Sequence, residues 1–306
     1  MTPTVSAARA NWHTANLDSP VDGITIRFAV LKPRQRARQA VLILNGRSEW
    51  IEKYFELPDW MNLGDDTLWV TMDHRGQGES GGPRSHVTSY EDFALDAAAV
   101  LEATAEDLPY AIVSHSMGGL VALYGTLHGL LEPRALALSS PLLAMPTSPL
   151  PYFLAKPIAR LACRTSCGQR STGAGGHKRL VFAGNPLTRS LSGFNRICQS
   201  PYPFVPPTFG WVEATFAACD AILDPEKIGT LKAPVRMIGG SHEEVINPAG
   251  WPTWCMTAAQ ATRTPIEFMR VNGGRHELLN EIPRIRQRAV NLLSSWLERH
   301  LLQPDS

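Results

Sequence analysis

Short, almost purely apolar runs alternate along this chain with stretches whose apolar residues recur every three or four positions. Val41–Leu44, Leu68–Met72, Ala111–Val113 and Leu136–Leu138 are runs of the first kind. Runs so brief and so apolar fit strands buried on both faces of a parallel sheet. Val235–Ile238 and Ile266–Val271 resume the pattern after a long gap, and Ile24–Leu31 reads as a strand in an opening hairpin. Between these runs the period is helical. Ser89 with Asp92 makes a capping-box start, followed by a stripe of Phe93, Ala97, Val100, Leu101 and Thr104. Leu120, Leu123, Tyr124, Leu127 and Leu131 form a second stripe. Pro283 opens a last helix with Ile285, Ala289, Leu292, Leu293 and Trp296 on its apolar face. This alternation predicts a doubly wound, mostly parallel α/β sheet.

The gap breaks the rhythm. Residues 141–219 are rich in Pro, Gly and Ser, and they follow the strand that ends near Ser139. An insertion there predicts a cap, or lid, over the C-terminal edge of the sheet, where α/β ligands bind. The expected division is a core of residues 1–140 and 220–306 and a cap of residues 141–219. The cap is also basic. Between Pro133 and Val212 there is no Asp or Glu, whereas Arg134, Lys156, Arg160, Arg164, Arg170, Lys178, Arg179, Arg189 and Arg196 carry nine positive charges. Such a surface is either a solvated lid or a peripheral contact with anionic membrane, where each basic residue contributes about 1 kcal/mol. Leu142, Leu143, Met145, Leu150, Tyr152, Phe153 and Leu154 would dip into that interface or line an acyl tunnel. Pro146, Pro149 and Pro151 predict an irregular lid there instead of one continuous helix.

Composition adds bounds. A chain of 306 residues with 44% hydrophobic residues suits one large domain or a domain with an insertion. The net charge of +1 selects no class of partner, and no motif points to nucleic acid. The N-terminal stretch lacks an apolar signal core, and no apolar run approaches the roughly 20 residues of a spanning helix. The five cysteines are an odd number, and no His or Cys pair completes a zinc pattern around Cys163 and Cys167. The expectation is a cytoplasmic, metal-free protein without disulfides or cofactor, at most peripheral on the inner face of the cytoplasmic membrane.

The candidate chemistry sits at three strand ends. At 110–120 an apolar strand runs into Ser-His-Ser-Met-Gly-Gly and then a helix. A serine on such a turn is lifted clear of the backbone, which makes Ser116 the candidate nucleophile, with Ser114 in the place usually held by glycine. A hydroxyl needs a base, and the base needs an acid to hold its tautomer. His276 follows the last strand in VNGGRHELLNE and is the candidate base. Gly240, Glu243 and Ile246 fit the spacing Gly-x-x-acid-x-x-Val/Ile, so Glu243 is the candidate acid, with Glu244 its possible substitute. The backbone N–H groups of Met117 and of Arg47, in the loop NGRSEW after AVLIL, are the candidate oxyanion donors.

These segments resemble the α/β-hydrolase branch that holds bacterial lysophospholipases and monoacylglycerol lipases. Asn-Gly-Arg-Ser-Glu at 45–49 is similar to that branch's His-Gly-x-x-Glu or Pro-Gly-Arg-x-Glu, and DHRGQGES at 73–80 to its Asp-x-Arg-Gly-x-Gly-x-Ser. SHSMGG at 114–119 resembles its elbow, NGGRHE at 272–277 its histidine loop, and AGNPLTRS and PTFGWVEAT parts of its cap. The likeness runs from about residue 20 to 300. It implies an α/β-hydrolase fold with an inserted cap and a cofactor-free serine esterase for a lipid or other small ester, such as a lysophospholipid. Asn45 stands where many relatives carry His, and Glu243 where many carry Asp. Two other readings stay open: a soluble esterase or peptidase for small substrates, and a hydrolase-fold protein that binds without turnover.

Overall fold

The computed structural model describes residues 11–147, 150–165, 167–173, 181–202 and 204–301. Eight strands form one sheet: β1 (Trp12–Asp18), β2 (Thr25–Leu31), β3 (Gln39–Leu44), β4 (Thr67–Met72), β5 (Tyr110–His115), β6 (Ala135–Ser139), β7 (Val235–Gly240) and β8 (Ile266–Val271). Their spatial order is β1-β2-β4-β3-β5-β6-β7-β8. The β1–β2 hairpin and the β2–β4 pair are antiparallel; every later pairing is parallel. Six of the seven apolar runs read from the sequence lie within one of these strands, and the seventh, Ile24–Leu31, starts one residue ahead of β2.

Alternation along the strands builds two cores. Leu42 and Leu44 of β3, Ile112 of β5 and Leu136 and Leu138 of β6 face one side, against α2 (Tyr90–Ala105), α3 (Met117–Leu127), α6 (Phe209–Ala221) and α8 (Gly250–Ala261). Val41, Ile43, Ala111, Val113, Ala135 and Ala137 face the other, against α1 (Leu57–Met61) and α9 (Pro283–His300). The shorter side chains on this second face leave room for Trp296 and Leu293 of α9, both buried.

Two helix details differ from the sequence pattern. Ser89 caps α2 by accepting from the Glu91 N–H, but Asp92 does not close a reciprocal box, because its carboxylate lies beside Arg75. The second stripe ends with α3 at Leu127, and Leu131 packs from the following loop.

Between β6 and β7 lie α4 (Tyr152–Cys163), α5 (Leu191–Cys198), α6 and the short α7 (Pro225–Gly229). Among the described residues of 141–151 there is no helix, in keeping with the expected irregular stretch, and a regular helix, α4, begins only at Tyr152. Pro151 is the residue just before α4 and so does not break it, and Pro157 is tolerated inside. Leu142, Leu143 and Met145 are buried in the main core and unavailable to an interface, because the chain after β6 folds back on the sheet edge. There the Leu142 N–H donates to the Ser116 carbonyl and the Trp251 indole N–H to the Pro141 carbonyl. Lys178, Arg179, Pro149 and the side chain of Tyr152 fall outside the described residues. Among the described residues no helix is long and apolar enough to cross a membrane.

Candidate active site

The sheet reverses its winding between β3 and β5, since β3 leads to β4 on one side and β5 to β6 on the other. Loops leaving adjacent strands in opposite directions open a crevice at their carboxyl ends. The loop 45–49 leaves β3 there, and Ser116 stands at the end of β5.

Ser116 has φ 52° and ψ −116°, a strained geometry for a residue with a Cβ. Its N–H donates to the Ser139 carbonyl at 3.0 Å, which holds the turn between two strand ends. Gly118 lets α3 start tight against β3, because a Cβ there would overlap the carbonyl oxygens of Leu44 and Asn45. Ser114 is buried, and its hydroxyl meets no acceptor among the described residues.

The three side chains expected to meet do so. His276 Nε2 lies 3.0 Å from Ser116 Oγ, and its Nδ1 lies 2.8 Å from Glu243 Oε2. A carboxylate facing Nδ1 accepts a hydrogen bond from it and so keeps the ring proton on that nitrogen, leaving Nε2 free to accept from the serine hydroxyl. The Glu243 side chain is only 1% exposed, and its other oxygen accepts the N–H groups of Val245 and Ile246 at 2.8 and 3.2 Å. Glu244 is exposed and makes none of these bonds. The arrangement can move a proton from a hydroxyl to an imidazole and hold the resulting imidazolium. Met117 is the first residue of α3, so its N–H has no acceptor within the helix, and no described residue accepts the Arg47 N–H.

The Hydrolase_4 family model, described as serine aminopeptidase, S33, matches residues 35–283. The chain belongs to this α/β-hydrolase family. It is 25% identical over 287 residues to a protein named probable lysophospholipase L2 of Haemophilus influenzae, covering 88% of this chain and 86% of that one. It is 31% identical over 148 residues to a monoacylglycerol lipase of Mycolicibacterium smegmatis, covering 46% of this chain and about half (52%) of that enzyme's length. Its fold is that of a soluble variant of the Saccharomyces cerevisiae monoglyceride lipase solved with a substrate analogue. That likeness has a TM-score of 0.75 at 21% identity over 94% of this chain and 95% of the other.

Behind His276 lies a buried charge cluster: Glu49 and Glu277 end two of the motifs quoted above, but no motif paired them or singled out Lys53. Lys53 Nζ bonds Glu49 Oε1 and, at 2.6 Å, Glu277 Oε2. Glu49 also accepts from the Gly46 N–H at 2.5 Å and the Tyr54 hydroxyl at 2.6 Å. The cluster therefore ties loop 45–49 to the residue after His276. Burial opposes the Glu49 charge, but Lys53, His115 and the two side-chain donors outweigh it and hold this carboxyl well below its usual range. Glu277 is raised, by burial first and against the pull of Lys53. Burial likewise lowers His115 to about 3, so it is neutral beside His276, the ring centroids 4.8 Å apart. Glu49, His115 and Glu277 offer ligand atoms close enough for a metal, but the Lys53 ammonium already stands between the two carboxylates as their cation. The legible signal for Lys53 was its spacing of four residues from Glu49.

Loops 73–80 and 183–190 buttress the site. Asp73 accepts from the Ile51 and Glu79 N–H groups and pairs with Arg27, and Gln77 accepts from the Ser48 N–H. Asn45 turns away to donate to the Met72 carbonyl, so it braces the loop and does not reach the reacting atoms. In AGNPLTRS the Pro186 and Leu187 carbonyls accept from the N–H groups of His276 and Glu277, which pins the histidine loop. Buried Glu281 bonds the N–H groups of both Arg189 and Arg275.

Proposed function

We propose that this chain is a serine hydrolase that cleaves carboxylic esters through an acyl-enzyme, its substrates being lysophospholipids or monoacylglycerols. The supporting observation is the continuous chain Glu243–His276–Ser116, with bonds of 2.8 and 3.0 Å, ending at a strained elbow. In this reading Ser116 Oγ attacks the ester carbonyl carbon as its proton passes to His276 Nε2. The negative charge on the former carbonyl oxygen meets the N–H groups of Met117 and Arg47, each donor contributing about 3 kcal/mol. Collapse expels the alcohol, which leaves with the proton from His276. Water then attacks acyl-Ser116 with His276 again as base, releasing the acid and restoring the hydroxyl. Glu243 orients the imidazole and stabilises its charged form throughout.

Residues 141–219 act in this reading as the cap, with α4 as its outer face and α6 as its root in the core. Phe153, Leu154, Ile158 and Leu161 of α4 are exposed, and Lys156, Arg160 and Arg164 accompany them. That combination supports peripheral, salt-sensitive contact with anionic lipid, though Lys156 also pairs with Asp220 and Arg196 with Glu56. Co-sedimentation with anionic and zwitterionic vesicles at low and high salt tests it; equal, salt-independent binding leaves only a solvated lid.

A fluorophosphonate probe is expected to label Ser116, and turnover is expected on a panel of lysophospholipids, monoacylglycerols, short esters and aminoacyl amides. Labelling with turnover of amides alone would make the chain a peptidase. No labelling and no turnover would make it a binding protein on a hydrolase fold.

A further inference from the structure

Arg47 is an arginine without a carboxylate. It lies in the loop after β3, at the crevice that holds Ser116, and among the described residues no carboxylate pairs with it; burial, offset only in part by the Tyr90 phenol, lowers its pKa to about 10. The reason is legible in the sequence. The wall facing it is the segment 204–211, part of the long stretch from Pro133 to Val212 that contains no Asp or Glu. Its guanidinium carbon lies 4.9 Å from the Phe204 ring centroid and 5.5 Å from that of Trp211. Nη1 donates to the Val205 carbonyl at 3.0 Å and to Ser48 Oγ at 3.4 Å. Nε and Nη2 have no acceptor among the described residues, since both side-chain bonds of Arg47 leave from Nη1. The neighbouring Trp211, only 5% exposed, keeps its indole N–H buried without an acceptor.

An arginine desolvated on this scale is costly unless something anionic completes it. Two aromatic faces supply part of that compensation. They leave open the edge of the guanidinium that matches a phosphate or carboxylate fork. The geometry points to Arg47 as the seat of an anionic substituent on the substrate, the phosphodiester of a lysophospholipid, and so as the residue that selects such esters over neutral monoacylglycerols. The inference rests on the ester-hydrolase reading and sharpens it. Reach agrees with the assignment. The Arg47 N–H is the proposed donor to the ester oxygen. As many bonds separate that nitrogen from the guanidinium carbon as separate the ester carbonyl carbon from phosphorus in a 1-acyl lysophospholipid.

The test compares kcat/KM for a lysophosphatidylglycerol and a monoacylglycerol of the same acyl chain, with active sites titrated by fluorophosphonate. Arg47→Met keeps the apolar stem between Phe204 and Trp211 but removes the charge; Arg47→Lys keeps the charge without the fork. The ratio of the two rates is expected to fall about tenfold or more in Arg47→Met, mainly through KM, and less in Arg47→Lys. A dodecyl phosphate inhibitor should weaken in the same order. Rates falling equally on both substrates, with unchanged inhibition, would reduce Arg47 to a strut for segment 204–211 and overturn the assignment. A wild-type preference for the monoacylglycerol would overturn it too. If the wild-type protein cleaves no ester and Ser116 does not label, the hydrolase reading itself fails first, and that result is recognisable before any variant is made.

Discussion

Removing Lys53 should expose how the site is held together. Lys53→Met deletes the ammonium between Glu49 and Glu277, in a cluster whose three side chains are no more than 8% exposed. Glu49 keeps two donors, the Gly46 N–H and the Tyr54 hydroxyl. Glu277 keeps none, since Lys53 is the only hydrogen-bond donor to its carboxylate among the described residues. Breaking a buried pair costs about 3–5 kcal/mol. The value should fall near the lower end, about 3 kcal/mol, because burial already raises Glu277 and lets it take up a proton at modest cost. For a chain of 306 residues, whose unfolding entropy scales with length, that is roughly 5 °C in Tm. The pH dependence has a definite sign. With Lys53 gone, the folded state holds a proton on Glu277 that the unfolded chain releases near pH 4.5, so stability should fall further as pH rises above 7. Adding Glu277→Gln removes the need for that proton and should restore most of the loss and flatten the pH dependence. Thermal melts of the wild type, both single variants and the double variant at pH 6 and pH 8.5 give the answer. A Lys53→Met melt within 2 °C or so of wild type, or a double variant less stable than Lys53→Met, would refute the reasoning.

Three further outcomes follow from the same geometry. Ser116→Ala should abolish ester turnover, and Ser116→Gly should do so while raising stability by about 1 kcal/mol, because glycine relieves the strained φ, partly offset by its greater freedom when unfolded; a melt and a turnover assay check both. Glu243→Gln should lower kcat by about four orders of magnitude and Glu244→Gln hardly at all, whereas the reverse ranking would move the acid by one residue. His115, buried and neutral, ionises near 6.5 when unfolded but only near 3 when folded, so the unfolded state binds the extra proton and wild-type stability is lost as pH falls through that window. His115→Gln should remove that contribution, so its Tm should gain on wild type between pH 6.5 and pH 4; parallel curves would show that His115 is not the group responsible.

Much of this molecule is written locally. Parallel strands buried on both faces must be short apolar runs, so β3 to β8 could be read directly, and a serine between such a strand and a helix has few places to stand other than an elbow. The order of Ser116, Glu243 and His276 along the chain was equally visible, because each follows a strand. What the sequence left open turns on side-chain direction and on contacts between segments far apart. Glu243 and Glu244 are equivalent as letters, and only the turn that feeds the Val245 and Ile246 N–H groups to Glu243 aims it at His276. Leu142, Leu143 and Met145 had the composition of a membrane-facing lid, yet the fold-back after β6 buries them in the core. The prolines before Tyr152 read as helix breakers, and the described residues of 141–151 hold no helix, but the start of α4 directly after Pro151 was not legible, because a proline just ahead of a helix leaves it intact. The Glu49–Lys53–Glu277 cluster joins residues more than 200 positions apart. Local propensity carries no trace of such a pairing, because burial and Coulomb interaction exist only once the two loops have met.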